Sequence, residues 1–66
     1  MSVAKVIELS AESNNSFEDA IKSGIAQASK SVHGIKGAWV NGQQAVVDQG
    51  KVVKYRVDLK VSFVLD

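Results

Sequence analysis

An α+β fold of strand, helix, strand and strand, with a three-stranded antiparallel sheet wrapped on one helix, is predicted by three features of this 66-residue chain. Apolar side chains recur at three- and four-residue steps from Phe17 to Val32, odd positions from Val53 to Leu65 are uniformly apolar, and Asp48-Gln49-Gly50-Lys51 offers turn residues ahead of that alternation. The first pattern is an amphipathic helix, and the other two make a hairpin.

Residues 3 to 9, VAKVIEL, are rich in β-branched side chains and predict the first strand. The polar run from Ser10 to Ser16 reads as a loop. In the helix, Phe17, Ala20, Ile21, Gly24, Ile25, Ala28 and Val32 form one apolar stripe, with Glu18, Lys22, Gln27 and Lys30 on the opposite side. Asn15 or Ser16 serves as its N-cap, with Glu18 and Asp19 at the positive end of the dipole, and Gly34 is the expected left-handed stop. Residues 35 to 47 predict the second strand. The third has Val53, Tyr55, Val57, Leu59, Val61, Phe63 and Leu65 on one face and Lys54, Arg56, Asp58, Lys60 and Ser62 on the other.

Ala38, Val40 and Val46 are the apolar even positions of the second strand, so the odd set Gly37, Trp39, Asn41 and Gln43 is expected on the face away from the helix, beside Arg56, Asp58 and Lys60. A bulge at Gly37 or Gly42 would reverse that parity. On the outer face the only tryptophan of the chain is exposed, covered by a subunit neighbour, or covered by a ligand. An aromatic plane beside amide and guanidinium donors suits a flat heteroaromatic ligand bearing carbonyls or a phosphate. A solvated face with cross-strand charge pairs is the plainer reading of Arg56, Asp58 and Lys60.

A single domain, 1–66, is expected, near the size at which one core barely balances chain entropy. Cysteine is absent and His33 is the lone histidine, so neither disulfides nor a thiolate or histidine metal site supplies support, and self-assembly remains. His33 beside Gly34 reads as a helix-end residue. Eight Lys and Arg against seven Asp and Glu, interspersed, argue against a nucleic-acid platform. No membrane span or signal-peptide segment is visible, and a cytoplasmic protein is expected. Phosphate-loop motifs and a Cys or Ser–His nucleophile arrangement are missing, so storage, sequestration or scaffolding is expected instead of an enzyme.

With KVIEL in the first strand, the helix segment SFEDAIKSGIAQASKSV and the closing strand YRVDLKVSF, the chain resembles the dodecins over nearly its whole length. The resemblance implies a hollow homododecamer of strand-helix-strand-strand subunits. It also implies riboflavin, FMN or FAD stacked between tryptophans of symmetry-related chains, for storage or quenching. The flavin-stacking tryptophan of the family falls on Gly37, with Trp39 two residues later, and its flavin-contacting glutamine falls on Arg56. Trp39 is expected to provide the stacking plane and Arg56 a polar clamp. Other members lack both residues and are associated with metal ions such as calcium. The alternatives are therefore a shell without flavin, structural or ion-binding, and a small monomeric or dimeric interaction module. Glu8, Glu12, Glu18, Asp19 and Asp58 are candidate ion ligands at symmetry axes.

Overall fold

The computed structural model describes residues 3–65. It contains β1 (Val3–Ser13), α1 (Phe17–Ala28), β2 (Ile35–Asp48) and β3 (Lys51–Leu65). The sheet order is β1-β3-β2, with both pairings antiparallel. The predicted strand-helix-strand-strand fold with one helix on a three-stranded antiparallel sheet is the observed one. No helix among the described residues is long and apolar enough to cross a membrane.

The core is built on the central strand. Val57, Leu59 and Val61 are fully buried together with Ala20 of α1, and Ile7, Leu9, Ala11, Phe17, Ile21, Ile25 and Ile35 pack around them. Phe17 and Tyr55 close one end with an edge-to-face ring contact, centroids 5.0 Å apart. The helix lies chiefly on β1 and β3. Consequently Val40 and Val47 of β2, which point the same way, are left exposed.

The two ends of the helix differ from expectation in instructive ways. At the start, Ser16 is the N-cap and its hydroxyl accepts the Asp19 backbone N–H at 2.9 Å. The Asp19 carboxylate in turn accepts the Ser13 hydroxyl at 2.6 Å, and Ser13 Oγ accepts the Asn15 N–H at 2.9 Å. Ser13 is thereby the buried polar residue that joins strand to helix. This is why β1 continues to Ser13 instead of ending at residue 9: Ser10 and Glu12 are polar because they face outward, and Ser13 is polar because it caps. At the other end α1 stops at Ala28, and Ser29 to Ser31 form turns. Gly34 does take the left-handed conformation, φ 76°, but outside the helix, where its carbonyl accepts the Val64 N–H at 3.2 Å.

The β2–β3 hairpin turns through Gln49 and Gly50, both with positive φ, between the paired residues Asp48 and Lys51. That is the two-residue turn whose twist matches the strands. Register shifts fall between Ile35 and Gly37, Val40 and Gly42, and Val46 and Val47. Each changes the parity with which β2 and β3 oppose one another, and the middle one matters most for the site.

Gly24 sits where α1 crosses β1. A Cβ there would lie 2.8 Å from the Ala11 Cβ. Gly24→Val is therefore expected to destabilise the fold by at least about 1–3 kcal/mol through overpacking, read as a lower denaturation midpoint with the far-ultraviolet spectrum of the native protein as control.

Candidate functional site

Directly opposed residues of antiparallel strands share a face, so the register lays out the surface of the sheet away from α1 in cross-strand rows. Gly37, Ser62 and Val6 form one row, Trp39, Lys60 and Glu8 the next, Gly42, Asp58 and Ser10 the third, and Gln44, Arg56 and Glu12 the fourth. Trp39 stands on this outer face and is 62% exposed, as the strand parity predicts.

The bulge at Asn41 corrects the rest of that expectation. Asn41 has no partner in the register, and beyond it Gln43 opposes Val57 on the helix side while Gln44 opposes Arg56 on the outer side. Gln43 is thus not a neighbour of Trp39's face, and Gln44 takes the place expected for it. Val46, expected on the helix side, opposes Lys54 and faces outward. The signal that could have revealed this was Gly42, a residue that fits a bulged, closely approached backbone.

Arg56 and Trp39 do not meet within one chain. They lie two rows apart, about 13 Å along the strand, and the guanidinium is engaged elsewhere. Its Nε donates to Glu12 Oε2 at 2.7 Å, Nη2 contacts the same oxygen, and Nη1 reaches Gln44 Oε1 at 3.4 Å. Arg56 is therefore tied to both neighbouring strands. Lys54 Nζ lies 3.7 Å from the other Glu12 oxygen. Hydrogen bonding and charge attraction from Arg56, with a smaller contribution from Lys54, hold the Glu12 carboxyl below its ordinary pKa.

Around Trp39 the surface is open on one side and polar on the other. A Cβ added at Gly37 would touch nothing closer than the Ser62 Oγ at 3.5 Å, so the indole is flanked along its own strand by a place without a side chain, in a row that ends at the exposed Val6 of β1. On the other side a groove of about 350 Å³ is lined by Glu8, Ser10, Asn41, Asp58 and Lys60 with Leu9 and Leu59. There Ser10 Oγ donates to Asp58 Oδ1 at 2.6 Å, and Lys60 Nζ lies 3.9 Å from Glu8. An exposed ring face, an empty adjoining position and a polar groove fit a planar ligand with a hydrophilic arm. The groove is also rich in oxygen donors, although among the described residues no three carboxylate or histidine side chains gather into a metal-ligating group. Glu18 pairs with Lys22 along the helix, and Asp19 is occupied by the cap.

A single short helix under a long, bulged, three-stranded sheet with a charged and open back defines a class of small α+β subunits. Comparison places the chain within it: residues 3–66 match the Dodecin family, and the chain belongs to the dodecin family. It is 40% identical over 63 residues to the calcium dodecin of Mycobacterium tuberculosis, covering 96% of this chain and 89% of that one. The crystal structure of a calcium-chelating calcium dodecin from the same organism matches with a TM-score of 0.83 at 36% identity, covering 97% and 91% of the two chains. A Thermus thermophilus dodecin variant matches with a TM-score of 0.94 at 29% identity, covering 100% and 98%.

The Glu12 tie has a pH signature. A carboxyl whose folded pKa is depressed adds stability above its unfolded value, and that stability is lost as pH falls through the folded pKa. Glu12→Gln is expected to flatten the loss of stability below pH 4.5, the ordinary value of the group, as followed by thermal denaturation across an acid series. Unchanged acid sensitivity would assign it to other carboxylates.

Proposed function

We propose that this chain assembles with copies of itself into a dodecin-type homododecamer and binds flavin on the outer face of its sheet, as a storage or sequestration protein. The observation that carries this reading is Trp39, 62% exposed on the sheet face that its own helix does not cover, beside the vacant side-chain position of Gly37. Isolated exposure of so large an aromatic is unfavourable in water and is relieved by a stacked ring. A flavin supplies that ring and brings a conjugated system whose fluorescence a stacked indole quenches.

In this reading Trp39 gives the plane, Gly37 leaves room for the ligand to lie flat, and Arg56 belongs to a neighbouring chain's contribution. Its guanidinium is fixed by Glu12 and Gln44 and presents a preorganised planar donor, whose ordering cost has already been met by the fold. Self-assembly also covers the exposed Val40, Val47, Val52 and Val53, which one subunit leaves in water.

A second reading, a cation-binding shell, is favoured by a specific observation: the 40% identical relative is a calcium dodecin. Here Glu8, Ser10, Asn41 and Asp58 along the groove would offer the hard oxygen ligands that calcium takes, with further ligands coming from neighbouring chains.

One pair of titrations separates the readings. For the flavin reading, riboflavin or FMN fluorescence is quenched by the assembled protein, and Trp39→Ala weakens binding by at least about ten-fold, ~1.4 kcal/mol. For the cation reading, neither flavin is quenched, and calorimetry in metal-free buffer shows calcium binding that Asp58→Asn abolishes.

A further inference from the structure

We propose that the outer-face site selects a flavin with an uncharged polyol arm over its phosphorylated forms, with Asp58 as the specificity-determining residue; this rests on the flavin reading above. The inference starts from the charge balance of β3. Its three outward cations each lie within 4.0 Å of a carboxylate of β1: Lys54 and Arg56 with Glu12, and Lys60 with Glu8. Among the described residues, Asp58 is the outward charge of β3 that has no ion-pair partner. Its Oδ1 accepts the Ser10 hydroxyl, and Oδ2 faces the backbone of Gly42, where an added Cβ would be 3.6 Å away.

Asp58 lies in the row next to Trp39 and lines the groove together with Lys60 and Glu8 of the Trp39 row. The two sides of the indole therefore differ in chemistry. Towards Gly37, Ser62 and Val6 the surface bears no charge and accommodates a ring. Towards Asn41, Asp58, Ser10 and Glu8 it offers carboxylate acceptors, an amide with both donor and acceptor, and a hydroxyl with free lone pairs, the set that hydrogen-bonds successive alcohols. A ring stacked on Trp39 sends its arm into this groove. A polyol there gains hydrogen bonds to Asp58 and Asn41.

A terminal phosphate monoester carries about −1.5 to −2 charges near neutral pH. In the groove it meets the Asp58 charge, while the flanking cations are already engaged by carboxylates, Lys60 with Glu8 and Arg56, in each chain, with Glu12. Like charges separated by several ångströms at a protein surface repel by enough to shift affinity by about ten-fold, and the shift shrinks with salt.

Fluorescence titration of the assembled protein with riboflavin and with FMN, at low and at high salt, tests this. The expected result is riboflavin binding tighter than FMN by about ten-fold at low salt, a gap that narrows as salt rises through a gain in FMN affinity. Asp58→Asn, with assembly confirmed by light scattering, is expected to close the gap in the same way. FMN binding as tightly as riboflavin at low salt overturns the proposal, as does a riboflavin preference indifferent both to salt and to Asp58→Asn. The salt series on the unaltered protein decides the matter even where the variant does not assemble. Absence of quenching by either flavin overturns the parent flavin reading itself, a result distinct from equal binding of the two.

Discussion

Among the described residues, a twelve-residue helix, about 18 Å long, is the only apolar cover for a sheet whose fifteen-residue central strand runs about 50 Å. This mismatch governs the molecule. The helix buries Val57, Leu59 and Val61 where it lies, and beyond Ile35 at its start β2 is left largely uncovered. The back of the sheet has no cover at all. The subunit is accordingly elongated, with principal extents of 52 × 19 × 14 Å, and much of its apolar surface awaits a neighbour. Stability at this size is tied to assembly, because the interior that one chain builds is small.

The uncovered back is organised by charge. The carboxylates of β1 and the cations of β3 meet row by row, with Glu8 opposite Lys60 and Glu12 opposite Arg56. Exposed pairs of this kind add little stability each. Their effect here is to fix where charge is absent: the pairing neutralises the flanks and leaves Trp39, Gly37 and Asp58 as the places where the face differs from an ordinary solvated sheet. Arg56, tied to both neighbouring strands, stands two rows from Trp39 and does not meet it within one chain.

Much of this architecture was legible in the residues. Period-two alternation in β3 and the three- and four-residue stripe of α1 are direct consequences of burying one face, and both produced the right elements. The outward placement of Trp39 followed from the same parity. What escaped was local hydrogen bonding. Ser13 looks like loop because it is polar, yet it is buried as the partner of Asp19. Gly34 looks like a helix stop, yet its left-handed backbone serves a bond with β3 after the helix has ended. The bulge at Asn41 left its trace only as Gly42, and Gln43 and Val46 were assigned to the wrong faces for that reason. The distance from Trp39 to Arg56 depends on strand pairing, which no pattern within a single strand encodes.

The bulge has a consequence for how β2 tolerates change. An extra residue acts as a phase switch: from Gly37 to Trp39 odd positions look outward, and from Gly42 onward even ones do. Removing one residue there would invert the distal half of the strand, turning Ala45 outward and Gln44 inward, with every amino acid otherwise retained. Conservative replacement of individual side chains leaves that phase intact. The length of this strand is thus held more tightly than its composition, and gapless comparison across it carries over addresses faithfully only when the partner chain has its switch in the same place.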